Sequence, residues 1–175
     1  MKKSIVISVL GNDSPGLVKS LSKLIVAHQG EWIESRMASL AGKFAGILRV
    51  DLPSDQVMDF QAALQNHQQL GLSAIFEESH SNGSAQKTNQ FEIELIGQDQ
   101  PGIVHRISSA LAQINASVDE LHTEVIEAAM TGENLFKADI KVHIARDVKA
   151  AEIRALLEEL ANELIVDIQL LEAGA

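Results

Sequence analysis

An eight-residue segment able to hold a small charged ligand occurs twice in this chain: Gly11-Asn12-Asp13-Ser14-Pro15-Gly16-Leu17-Val18, and 86 residues later Gly97-Gln98-Asp99-Gln100-Pro101-Gly102-Ile103-Val104. Two of the three prolines lie inside it. Each copy follows a short apolar run of β character and precedes an apolar stripe of helical period, which predicts a strand, a tight turn and a helix start. A helix opens with backbone N–H groups that have no partner and with the positive end of its dipole, and together these suit a carboxylate. Gly16 and Gly102 permit close backbone approach and unusual dihedrals, and Pro15 and Pro101 set φ at the first helical turn, where a missing N–H wastes no donor. Asp13 and Asp99 have two readings: each caps its helix, or each receives a ligand's ammonium group.

Other chemistry has little foothold. Cysteine is absent, which removes disulfides, thiolate nucleophiles and Cys-ligated zinc. The six histidines, His28, His67, His80, His105, His122 and His143, show no metal-ligand spacing, and neither a Gly-x-Ser-x-Gly elbow nor a phosphate loop occurs. His105 with Asp99 is the best-placed acid–base pair. The first copy has Lys19 at that position, and a solvent-facing histidine on an amphipathic helix accounts for His105 without catalysis. No catalytic residue, metal or cofactor is expected.

The elements that must position the two turns repeat as well. In the first half, Ser4 to Leu10 reads as a strand, and Leu17, Leu21, Leu24, Ile25 and His28 share one helical face. Gly30 ends that helix. Trp32 to Leu40 is a second strand, Ala41-Gly42-Lys43 its turn, and Phe44, Gly46, Leu48, Val50 and Leu52 one face of a third. Ser54 or Asp55 caps a helix carrying Val57, Phe60 and Leu64, Gly71 closes it, and Leu72, Ala74 and Phe76 alternate in a last strand. The second half follows the same order. Phe91, Ile93 and Leu95 alternate; Ile103, Ile107, Leu111 and Ile114 form a stripe; Ala116 to Ala129 is a strand with its turn at 130–134. Phe136 to Ile144 alternates again, Asp147 caps a helix of Val148, Ile153, Leu156, Leu157 and Leu160, and Leu164, Val166, Ile168 and Leu170 close the unit. The third strands align at an offset of 92, which places a six-residue insertion in the second hairpin.

The expected fold is therefore α+β: two ferredoxin-like βαββαβ units, each an antiparallel sheet with helices on one face. The expected domains are 1–79 and 90–175, joined by a Ser/Asn/Gly-rich linker at 80–89. Uncovered sheet faces and edge strands in such units need partners; packing between the two units of the chain can meet that need internally, dimerisation can meet what remains, and a homo-oligomer is expected.

Composition narrows the function further. The chain is 46% hydrophobic but 3% aromatic, so its cores must be Ile, Leu and Val. Its net charge of −10 divides unevenly, with 7 basic and 8 acidic residues over 1–86 and 7 against 16 over 87–175. An acidic surface repels phosphate backbones, and the basic residues are scattered, so direct nucleic-acid binding is not expected. Glu152, Glu158, Glu159 and Glu163 read as the wet face of the last helix. Lys2-Lys3 before an apolar run imitates a signal peptide, but that run ends at Asn12-Asp13 without a small-residue cleavage pattern, and no run is long enough to cross a membrane. The expected location is the cytoplasm.

The βαββαβ order with Gly-x-Asp-x-Pro-Gly-Leu/Ile-Val at both turns resembles tandem ACT domains, which are small amino-acid-sensing regulatory modules. Among these the chain is most similar to the glycine cleavage system transcriptional repressor family. That resemblance implies a regulator without its own DNA-binding domain, which represses the glycine cleavage operon by contacting a LysR-type DNA-binding activator, with glycine as the signal. It also implies a ligand lying between the turn and the start of a neighbouring unit's second strand. The ligand residues are then Asn12, Asp13, Pro15, Gly16, Leu17 and Val18 at one site and Gln98, Asp99, Pro101, Gly102, Ile103 and Val104 at the other. Asn115, whose counterpart is Gln29, joins them. Two further readings stay open: a regulatory subunit or sensor of an amino-acid metabolic enzyme, and an interaction module that binds no ligand.

Overall fold

The computed structural model describes residues 1–66, 71–78, 88–128 and 132–172. The chain divides into two compact units, Met1–Asn82 and Gly83–Ala175. Unit 1 contains β1 (Lys2–Asn12), α1 (Leu17–Ala27), β2 (Glu31–Leu40), β3 (Lys43–Pro53), α2 (Val57–Asn66) and β4 (Leu72–Glu78). Unit 2 contains β5 (Thr88–Gln98), α3 (Ile103–Gln113), β6 (Ser117–Glu127), β7 (Asn134–Ala145), α4 (Ala150–Leu164) and β8 (Val166–Glu172). The sheets run β2-β3-β1-β4 and β6-β7-β5-β8, with every pairing antiparallel. These are two ferredoxin-like βαββαβ units.

Strand alternation decides which sheet face is buried. Ile5, Ile7 and Val9 of β1 meet Leu48, Val50 and Leu52 of β3 beneath Leu21, Ile25, Phe60 and Leu64 of the helices. In unit 2, Phe136, Ala138, Ile140, Val142 and Ile144 are all buried under Ile103, Ile107, Ile153 and Leu157. Among the described residues no polar or charged side chain is buried. Phe60 is the one aromatic among the largest fully buried side chains, and it meets His28 and Phe76 edge-on at 5.6 and 6.3 Å.

The repeat extends to irregularities. Both second strands shift register at one residue, between Trp32 and Glu34 and between Val118 and Glu120. Both first helices end in a Schellman arrangement. The Gly30 and Gln29 N–H groups return to Ile25 and Val26, and those of Ala116 and Asn115 to Leu111 and Ala112. Trp32 and Val118 stay 86 residues apart while the third strands are 92 apart, Phe44 and Phe136 lying opposite Gly11 and Gly97. The extra residues therefore lie in the second hairpin, whose segment 129–131 is outside the described residues.

Several local expectations are corrected. The helix after β7 has Lys149, not Asp147, at its N-cap with no side-chain bond, because β7 runs on to Ala145 and the next residues form the turn. Leu164 is the last residue of α4, buried in the core, and β8 starts at Val166. The Ser54 hydroxyl donates to the Met1 carbonyl (2.8 Å) and so ties the helix entry to the start of β1. β5 begins at Thr88, two residues inside the expected linker, while 80–87 lie outside the described residues. The second strand of unit 2 spans Ser117–Glu127, shorter at both ends than expected.

Candidate functional site

Each turn is built from three elements. In unit 1, β1 runs to Asn12, and Asp13 N–H donates to the Gly42 carbonyl at the tip of the β2–β3 hairpin (2.9 Å). In unit 2, Asp99 N–H donates to the Asn134 carbonyl at the corresponding hairpin end (3.1 Å). Pro15-Gly16 and Pro101-Gly102 then make the corner. Gly16 has φ 90 and ψ 5, and Gly102 has φ 84 and ψ 6, the values of the third residue of a type II turn with Pro in second place. The Ile103 N–H to Gln100 carbonyl contact at 3.4 Å is the turn's closing bond in unit 2.

This corrects the expected role of the prolines. Gly16 and Gly102 are the N-cap residues, so Pro15 and Pro101 stand one position outside the helix, not in its first turn. Each N-cap is thus a glycine with no side chain to bond the first turn, and Asp13 and Asp99 stand three residues before it, not at the cap. The first helical bonds are Ser20 N–H to the Gly16 carbonyl and Arg106 N–H to the Gly102 carbonyl, so the preceding N–H groups have no carbonyl four residues back inside the helix. A Cβ built on Gly16 or Gly102 would meet nothing within 4 Å, so the space above each glycine is open.

The first glycine of the repeat serves a different purpose. A Cβ on Gly11 would lie 2.6 Å from the Gly71 carbonyl oxygen, and one on Gly97 would collide with Val166, whose Cα would be 2.9 Å away. Gly11 and Gly97 let the last strand of each unit close against the turn.

The proposed ligand residues separate into classes. Asn12, Asp13, Pro15, Gly16 and Val18 are exposed around the first turn, and Gln98, Asp99, Pro101, Gly102 and Val104 around the second. Leu17 and Ile103 point into the cores. Asn115 is exposed in a left-handed conformation (φ 50) at the far end of α3, about 16 Å along the 11-residue helix from Gly102. One unit therefore does not bring Asn115 to its own turn. His105 is exposed and borders a groove of about 260 Å³ between α3 and α4 with Arg106, Glu159 and Glu163. Beside Val104, an apolar cleft between α3 and β6 holds only about 20 Å³, room for one water and not for an amino acid.

Two neighbours of the turns escaped the sequence reading. Lys43 Nζ donates to Asn12 Oδ1 at 2.6 Å, placing an ammonium group beside turn 1. Its register counterpart opposite Gln98 is Leu135, so turn 2 lacks that charge. Gln100 Nε2 instead donates to the Leu164 carbonyl at 2.7 Å and anchors turn 2 to the end of α4. The signal for Lys43 was its place at the hairpin tip, but the pairing that carries it to Asn12 is set only by strand register.

Outside the turns, His143 Nδ1 lies 2.6 Å from Asp119 Oδ1, at the opposite end of the sheet. No three His, Asp or Glu side chains converge as a metal site among the described residues.

The geometry of two turns with the same backbone on two ferredoxin-like units agrees with the comparison to known proteins. A family model described as ACT domain matches residues 3–77 and again 89–170. The chain belongs to the ACT-domain family. Its two ACT units are similar over 99% of the chain to an unknown protein from Galdieria sulphuraria, at 30% identity, 100% coverage of that chain and a TM-score of 0.89. They also share the fold of a provisionally named glycine cleavage system transcriptional repressor, at 17% identity, with 100% and 99% of the two chains covered and a TM-score of 0.75. A UPF0237 protein of Methanopyrus kandleri is 34% identical over 77 residues, which is 43% of this chain and 79% of that protein.

Proposed function

We propose that this tandem ACT protein is an amino-acid-responsive transcriptional regulator that represses a glycine cleavage operon by contacting a LysR-type DNA-binding activator, with glycine as the signal. The observation that carries the reading is the open, left-handed glycine at a helix start, present in both units with φ 90 and φ 84. A carboxylate fits the N–H groups of such a turn, and the uncapped carboxylates of Asp13 and Asp99 suit an ammonium group. Glycine, with no side chain, asks for the least extra room. The specific link to glycine cleavage is supported by the full-length likeness in fold to the provisionally named repressor.

In this reading the contacts at turn 1 come from Asn12, Asp13, Pro15, Gly16 and Val18, and at turn 2 from Gln98, Asp99, Pro101, Gly102 and Val104. Leu17 and Ile103 contribute backbone only, since their side chains are buried. Asn115 serves the turn of another ACT unit, because its own turn is a helix length away, and a homo-oligomer is part of the proposal. Lys43 makes turn 1 the stronger carboxylate site. The acidic second unit disfavours phosphate backbones, which leaves DNA contact to the activator. No described helix is long and apolar enough to cross a membrane. As part of the same proposal, the place of action is the cytoplasm.

Capture of partners on the immobilised chain, with glycine absent and present, tests the assignment. Recovery of a LysR-type activator in glycine-dependent amount is expected. Recovery of an amino-acid metabolic enzyme in its place would transfer the same two sites to a regulatory-subunit role.

A further inference from the structure

The helices cover one face of each sheet, and the two uncovered faces differ in chemistry. In unit 1, Ile47 and Ile75 flank Ser8 in one row across β3, β1 and β4. Leu10 stands in the next row on one side, and Val6 in the next on the other, between Arg49 and Glu77. Leu10, Ile47 and Ile75 are 55%, 56% and 67% exposed. The same rows of unit 2 hold Glu94 between Asp139 and Gln169, and Glu92 between Lys141 and Leu171. Unit 2 has the same fold with a charged face, so folding does not require the apolar cluster of unit 1. A contiguous exposed apolar patch rimmed by charge marks an interaction surface.

We infer that the open face of unit 1 is a self-association surface, on which two copies of the chain pack sheet to sheet about a two-fold axis parallel to β1. The charge pattern selects both the occupant and the axis. With the axis along β1, β3 of one copy lies over β4 of the other. Ile47 then meets Ile75, Leu10 meets Leu10, Val6 meets Val6 and small Ala45 meets small Ser73. Arg49 meets Glu77, and symmetry makes that pair twice. An axis across the strands would instead place Arg49 over Ala45 and Glu77 over Ser73, burying the Glu77 of both copies with no cation opposite, which is costly. Arg49 is already held on this face by Glu34, at 2.7 Å from its Nε, and a guanidinium has further donors for a second carboxylate. The three strands that overlap about this axis, β3, β1 and β4, at about 4.8 Å spacing and roughly eight residues long at about 3.4 Å each, give a face near 400 Å² in projection. That is about half of the roughly 800 Å² of accessible surface each partner gives to a standard interface, the size of a weak, concentration-dependent contact. Two such sheets pack with strands within about 30° of parallel, which the two-fold along β1 permits.

This inference rests on the homo-oligomer part of the preceding reading and not on its ligand. Sedimentation velocity of the full chain at micromolar concentrations should show a dimer. Arg49→Glu and Glu77→Arg, each alone, place like charges opposite one another twice and should weaken the dimer about 100-fold or more. Mixing the two variants should restore it, because each copy then supplies the charge its partner needs. Ile75→Asp, on an edge strand outside the core, should also give monomers whose thermal unfolding matches that of the unaltered chain. A monomeric unaltered protein would overturn both this surface and the homo-oligomer reading. A dimer that persists in Arg49→Glu and Ile75→Asp would overturn the surface alone and leave association by another face. Folded single variants that stay monomeric when mixed would overturn the two-fold arrangement.

Discussion

Replacing Gly102 with alanine isolates the cost of the left-handed turn. Gly102 holds φ 84, and the new Cβ meets nothing within 4 Å, so the whole penalty is conformational and none of it is a clash. A left-handed conformation costs an L-residue about 1–2 kcal/mol, and the loss of unfolded-state freedom on replacing glycine offsets about 0.4–1 kcal/mol of that. The expected net loss in unit 2 is about 1 kcal/mol, a fall in melting temperature of about 4–8 °C for a domain of this size. Gly102→Asn should cost less, because asparagine tolerates this region, and Gly102→Val should cost about 2–3 kcal/mol. Scanning calorimetry of the three variants orders them as Asn, Ala, Val. An alanine loss above about 4 kcal/mol would mean a steric contact that the open geometry denies, and a harmless valine would mean that the turn is not left-handed. In either case the account of the turn fails. The same Cβ occupies the space assigned to the ligand, so Gly102→Asn should keep the fold and lose amino-acid binding at this turn.

Four further outcomes follow from the geometry. Gly97→Ala forces β8 to move because Val166 stands where the Cβ must go; chemical denaturation should show a loss of about 1–3 kcal/mol, larger than that of Gly102→Ala. Ile165 is a β-branched residue at φ 54 and ψ 53 with 85% exposure, so Ile165→Gly should raise the stability of unit 2 by up to about 1 kcal/mol, read as a higher melting temperature. Phe60→Ala empties the centre of unit 1 and should cost about 3–5 kcal/mol by urea titration; a loss under 1 kcal/mol would contradict its place in the core. Lys43→Met removes the ammonium group beside turn 1 and should weaken carboxylate binding there several-fold, with turn 2 unchanged in the same titration.

Much of the fold was legible because alternation and helical period report burial directly. Each strand expected from alternation lies at the heart of an observed one, and Ile103, Ile107 and Leu111 face the core as their spacing requires. The errors fall where one local signal has two physical outlets. Asp147 has the chemistry of a cap but sits in the turn after an extended β7. Leu164-Ile165-Val166 satisfies both helix and strand periods, and only the left-handed Ile165 marks the boundary between them. Pro-Gly announces a helix start in sequence, yet whether proline is inside or just outside the helix depends on the glycine dihedral. The outline of the candidate site was legible from the repeat. Its neighbours were not, since Gly42, Lys43 and Asn134 reach the turns through strand register, and Gln100 meets Leu164 from 64 residues away. The two roles of glycine within one motif, close approach at Gly11 and turn at Gly16, also become separable only when the space around each is known.

Calorimetric titration of the purified chain with glycine, beside the Gly16→Val and Gly102→Val double variant, tests the central claim most directly. Saturable glycine binding by the unaltered protein and its loss in a double variant that still folds is the predicted result. Glycine binding that survives both substitutions, or no heat from glycine, serine, alanine or the branched-chain amino acids with the unaltered protein, would contradict it.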